Sequence, residues 1–174
     1  SDRLVGSEMC IRDRDILVSR YHNDTLWQDS VKMMEHYDLS ADPCKYRGYK
    51  GLVELAKKYE AYFILPEQYS KFAAFELMNI GLPVILPSED FLFHLSSSNN
   101  YWFGSGLYKN TTEVCEWYNE YYDQFALYID DFEEIPETFE IIKEHKKKIR
   151  GIMKKCAKEH QSKTLDQWRK IYNV

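Results

Sequence analysis

The residues best suited to chemistry sit in one stretch, Glu67-Gln68-Tyr69-Ser70-Lys71, followed by Glu76. Ser70 is a residue type that caps helix N-termini. The free backbone N–H groups opening such a helix, its dipole and the Lys71 ammonium together suit a diphosphate. Capping alone is the plainer use of Ser70. Gln68 and Tyr69 could contact a sugar or a base, or simply line a loop. Glu76 is an acid among Phe, Ala, Leu, Met and Ile, and an ionised carboxylate there needs partners. Its plainer alternatives are an exposed helix stripe or a poorly aligned pairing with Lys71. Further cations come from other segments. Arg20 follows an apolar run, a place where a cation can meet an anionic ligand, with His22 close by in sequence. Arg47 and Lys50 flank a turn at Gly48.

These residues need a scaffold, and the apolar pattern supplies one. Asp15 to Ser19 reads as a strand, and Asn23 or Asp24 can cap a helix over Thr25 to Tyr37. Pro43 to Gly48 predicts a short strand and turn, and Gly51 to Tyr59 a compact helix. Ala61 to Leu65 is a buried strand closed by Pro66. A helix from Ser70 to about Ile80 follows, ended by Gly81 in the left-handed conformation. Leu82 to Leu86 is the next strand, closed by Pro87. A strand–helix–strand of this length is a parallel, right-handed crossover. Its loop residues then lie at the carboxyl edge of the sheet, where ligands bind in such folds. Glu89 to Leu95 reads as a short helix, Thr112 to Tyr122 as another, and Phe125 to Ile129 as a last strand. A long helix from Pro136 to His160, interrupted at Gly151, and a terminal turn from Leu165 to Tyr172 complete the pattern. The fold class is α/β: an open, mostly parallel Rossmann-like sheet with helices on both faces and a long C-terminal helix.

Composition bounds the rest. The chain has 174 residues, enough for one domain with a sizeable core, and 44% hydrophobic residues. Its formal charge of −5 argues against general nucleic-acid binding, and no apolar run is long enough to span a membrane. The charge is uneven. Ten acidic residues and no Lys or Arg lie between Glu113 and Glu140, whereas Lys143 to Lys170 is strongly basic. Such blocks are either solvated helix faces that attract one another or a surface for a partner domain or an acidic membrane. Cys44, Cys115 and Cys156 are far apart and read as free thiols, and no Cys or His spacing suits a metal. Sequons at Asn23 and Asn110 leave the compartment open.

Residues 1–14, SDRLVGSEMCIRDR, resemble a translated sequencing-adaptor run found at the start of environmental reading frames, and are set aside from the fold. A genuine N-terminal arm is the alternative. On the first reading, residues 15–174 form a single domain that begins part-way through a longer protein.

The stretch Tyr46 to Ser88 resembles the C-terminal, donor-binding half of GT-B glycosyltransferases. The resemblance is carried by the Gly48 turn, the helix from Leu52, the strand ending at Pro66, Phe75-Glu76-Leu77-Met78, and Gly81-Leu82-Pro83-Val84-Ile85. It is also similar to a group of transferases with a Pro-Tyr-x-x-Ser-type loop and Trp-Tyr-Asn, here Pro66–Ser70 and Trp117-Tyr118-Asn119. The resemblance implies a nucleotide-diphosphate sugar as donor, with no cofactor and no metal. It implies that Glu76 accepts hydrogen bonds from the donor ribose and that Arg20 balances the leaving phosphate. Glu67, Gln68, Tyr69, Ser70, Lys71, Arg47, Lys50 and His22 would hold the donor. It also implies an acceptor domain upstream as partner, without which the chain would be inactive. Two departures stand out. Many members carry two Glu separated by seven residues, and counting back from Glu76 gives Gln68, with Glu67 one place off. The family's Gly-rich phosphate loop is absent. These departures keep open a Rossmann-like interaction domain without a donor site. A flavodoxin-like or receiver domain would want carboxylates where Arg20 and Gly48 follow the first strands.

Overall fold

The computed structural model describes residues 14–19, 24–45, 48–66, 72–97, 118 and 126–172. Five strands form one parallel sheet in the order β2-β1-β3-β4-β5. They are β1 (Arg14–Val18), β2 (Ala41–Pro43), β3 (Tyr59–Phe63), β4 (Val84–Pro87) and β5 (Ala126–Ile129). Helices α1 (Asp24–His36), α2 (Gly48–Lys58), α3 (Phe72–Ile80) and α4 (Glu89–Ser97) follow the first four strands in turn. After β5 a 3-10 turn leads into α5 (Ile135–Tyr172). The open, parallel α/β class expected from the sequence is the one observed.

Strand composition explains the layering. Ile16, Leu17, Val18, Ala61, Tyr62, Phe63, Val84 and Ile85 are fully buried, on both faces of the sheet. Near-continuous apolar strands of this kind belong to parallel sheets covered on both sides. The chain steps outward from β1 to β2, then back across β1 to β3 and onward to β5. With right-handed crossovers, that reversal puts α1 on one face and α2 and α3 on the other.

Helix ends are set by local chemistry. At the end of α3 the N–H of Leu82 donates to Leu77 O at 2.9 Å and that of Gly81 to Met78 O at 2.9 Å. This paired closure needs a left-handed residue, and Gly81 has φ +98°. The end of α1 repeats it with a non-glycine residue. Asp38, at φ 58°, donates to Glu35 O, and Leu39 donates to Met34 O. Ser88 Oγ accepts from Phe91 N at 3.2 Å and caps α4, with Glu89 and Asp90 in the first turn.

Several boundaries differ from the sequence reading. The second strand is Ala41–Pro43, ahead of the Pro43–Gly48 segment expected. Parallel pairing of Ile16, Leu17 and Val18 with Ala41, Asp42 and Pro43 fixes that register, which the local sequence does not announce. Helix α2 starts at Gly48, and Tyr59 already belongs to β3. Helix passes into strand there without a loop, because Tyr59 is buried while Lys57 and Lys58 are exposed. The terminal helix is unbroken over 38 residues, through Gly151. Nothing lies within 4 Å of where a Gly151 side chain would begin, so solvent exposure accommodates the glycine without a kink. The helix expected over Thr112 to Tyr122 lies outside the described residues apart from Tyr118. Tyr118 stacks on Tyr128 at 5.7 Å and donates to Pro87 O at 2.9 Å. That is a packing role for Tyr118.

Helix α5 binds the layers together. Ile135, Phe139, Ile142 and Met153 are buried on its inward side. Between them, Lys146 and Arg150 meet the start of β3. Lys146 pairs with Glu60, and Arg150 Nη2 donates to Tyr59 O at 2.9 Å. Further on, the Lys154 stem packs over Gly81.

Candidate functional site

In an open parallel sheet, ligands bind outside the carboxyl ends of strands where the strand order reverses. Here that switch point lies between β1 and β3. The order β2-β1-β3-β4-β5 is the flavodoxin-like one, and equally the Rossmann order with its outermost strand omitted. The ladder continues beyond the strand ends at this edge. Ser19 N donates to Phe63 O at 2.9 Å, Cys44 N to Val18 O at 2.7 Å and Ile64 N to Ile85 O at 3.0 Å. Ser19, Ile64, Leu65 and Pro66 are all buried. Among the described residues this edge is therefore closely hydrogen-bonded and largely apolar.

Arg20, His22, Arg47, Glu67, Gln68, Tyr69, Ser70 and Lys71 lie outside the described residues. Lys50 is exposed in the first turn of α2, which begins on the carboxyl side of β2. Glu76 stands in the middle of α3 and is half-buried, with its Oε2 enclosed and without a hydrogen-bond partner. It is thus not an exposed stripe of the helix.

Glu76 opens onto a groove of about 840 Å³ between α3 and the distal half of α5. Asn79 and Ile80 continue the α3 wall, Val53 of α2 adds to it, and Lys154, Lys158 and Trp168 stand on the α5 wall. Neither lysine pairs with Glu76. The arrangement offers a carboxylate, two ammonium groups and an indole face, a set able to take hydroxyl donors and an anionic group together. The sequence reading missed the α5 wall because it ended the long helix at His160. Its signal was present: Lys154, Lys158, Gln161, Leu165 and Trp168 recur at spacings of three and four, one face of a continuous helix.

A second cavity, about 580 Å³, lies at the amino edge between Asp15, Tyr37, Ser40, Phe139 and Lys143. Asp15 and Ser40 close it reciprocally. Asp15 N donates to Ser40 Oγ at 3.0 Å, while Ser40 N and Oγ donate to Asp15 Oδ2 at 2.7 and 2.9 Å. Burial, then the Glu133 and Asp131 carboxylates, raise the Tyr37 pKa above the ordinary tyrosine value. This cavity is at the end of the sheet opposite the switch point.

Among the described residues no cluster of three or more His, Cys, Asp and Glu could hold a metal ion. Cys44 is buried and Cys156 half-buried, and neither forms a disulfide. No described helix is long and apolar enough to cross a membrane. Comparison with protein-family models, curated proteins and solved structures gave no match.

Proposed function

We propose that this chain is the donor-binding half of a GT-B glycosyltransferase, taking a nucleotide-diphosphate sugar at the carboxyl edge between β1 and β3. The observation that carries the reading is the parallel β3–α3–β4 crossover beside the switch point, with a half-buried acid, Glu76, on its helix. An α3 N-terminus at that edge suits a pyrophosphate, because helix N–H groups and dipole favour negative charge. Glu76, which opens onto the α3–α5 groove, would accept from ribose hydroxyls of a donor that reaches from that edge into the groove. Arg20 would offset charge on the departing phosphate, with Glu67, Gln68, Tyr69, Ser70, Lys71, Arg47, Lys50 and His22 around the donor. Phosphate charge met in this way calls for no metal. Transfer would require an acceptor domain as partner, so the chain alone would bind the donor without turning it over.

Calorimetric titration with UDP-sugars and GDP-sugars tests the proposal. Saturable binding that Glu76→Ala weakens about tenfold, roughly 1.4 kcal/mol, supports it. No binding of any nucleotide overturns it.

One observation favours a second reading, a Rossmann-like interaction domain without a donor site. Glu76 lines the α3–α5 groove with one oxygen enclosed, an environment that packing alone can produce. The same titration separates the two, since this domain would bind no nucleotide.

A further inference from the structure

The surface of α5 combines unbalanced charge with exposed apolar side chains. From Lys143 to Lys170 there are eleven Lys or Arg and three Asp or Glu, in a chain of formal charge −5. Lys143, Lys155 and Arg169 pair with Glu140, Glu159 and Asp166 on the same helix. Lys147, Lys148, Lys154, Lys158, Lys163 and Lys170 are exposed and make no ion pair among the described residues. Among the described residues, four of seven exposed large hydrophobic residues crowd into the last two turns of α5. Leu165 is 50% exposed, Trp168 51%, Ile171 67% and Tyr172 66%. At roughly 100° per residue they share one side of the helix. The rings of Trp168 and Tyr172 stack at 5.5 Å with an interplanar angle of 10°.

We infer that the distal part of α5 docks on an anionic lipid surface, with Trp168, Ile171 and Tyr172 entering the headgroup region and the lysines above it. A helix with an aromatic, apolar stripe and a surplus of cations lies in a bilayer interface rather than across it. Paired Trp and Tyr side chains favour that zone, being apolar in body and polar at the tip. A second copy could complement the charge through its acidic stretch Asp130–Glu140. That stretch offers nothing for the apolar stripe, because Phe132 packs on Phe91, and Ile135 and Phe139 are buried. A lipid surface supplies both the negative charge and the apolar medium.

Co-sedimentation with vesicles tests this. The chain should bind vesicles of phosphatidylcholine and phosphatidylglycerol, leave phosphatidylcholine vesicles in solution, and release as salt is raised. Lys163→Ala with Lys170→Ala should weaken binding roughly fivefold per charge. Trp168→Ala with Ile171→Ser should weaken it further while circular dichroism stays unchanged. Absence of sedimentation, or equal binding to both vesicle types, overturns the inference. So does a concentration-dependent dimer in analytical ultracentrifugation that the same variants abolish while vesicles have no effect; that result gives the stripe to a second copy.

Discussion

Arg150 donates from Nη2 to the carbonyl oxygen of Tyr59 at 2.9 Å, linking two residues 91 positions apart. The acceptor is the first residue of β3, the middle strand of the sheet. A charge-assisted bond to a partly buried carbonyl is worth about 1.5–3 kcal/mol. Lys146 and Glu60 reinforce the same place. Arg150→Leu should therefore lower unfolding free energy by about 1.5–3 kcal/mol in urea titrations. A double-mutant cycle with Lys146→Met should show coupling, since both side chains fasten α5 to one strand end.

Glycine positions predict opposite signs. Gly151→Ala should raise stability by about 0.5–1 kcal/mol, because the site is helical and nothing stands near the new methyl group. Gly81→Ala should lower it by about 1–2 kcal/mol, since φ is +98° there. The Lys154 stem, whose Cε would be 3.2 Å from the added carbon, is flexible and can move, so backbone strain dominates. Asp38→Gly should be stabilising by up to about 1 kcal/mol, as φ is 58° at that position. Thermal melts of the three variants check all three signs.

Glu76 carries a test that divides stability from binding. Its Oε2 is enclosed without a partner, so replacing the carboxylate removes an unmet desolvation cost. Glu76→Met should raise stability by about 1 kcal/mol. If the side chain receives ribose hydroxyls, the same variant should lose donor binding. A variant that is both more stable and fully able to bind would remove Glu76 from the site.

Alkaline behaviour follows from Tyr37. Burial and the nearby Glu133 and Asp131 carboxylates raise its pKa in the folded state. Between the unfolded and folded pKa values the folded chain holds the phenol proton that the unfolded chain has lost. Unfolding then releases a proton, so stability falls as pH rises. The contribution is fully present below the unfolded tyrosine value, near about 10, and disappears as pH passes the folded one. Tyr37→Phe should flatten this alkaline slope in urea titrations run at stepped pH.

Much of the fold can be read from the chain because local signals agree with tertiary ones. Gly81 marks a helix end that only a left-handed residue closes so neatly, and the buried runs on either side have no polar face to expose. Ala41–Pro43 could not be read in this way. Its three residues are only half-buried, and the pairing with β1 that makes them a strand leaves no local mark. Tyr59 looked helical because helix and strand meet there with no turn residue between them. Gly151 looked like a break because an exposed glycine inside a helix and one at its end share the same letter. The site was legible in part. Glu76 could be singled out as an acid in apolar company, but its facing groove depends on where α5 travels, a long-range matter. Eight of the nominated residues fall in segments outside those described.

An unbroken α5 also has a mechanical meaning. At about 1.5 Å per residue its 38 residues make a stiff rod of roughly 57 Å. Clamped near its middle at the root of β3, such a rod turns about that fulcrum. A pull on the Tyr172 tip is therefore delivered as torque to the amino end of β3, the edge of the sheet opposite the β1–β3 crevice.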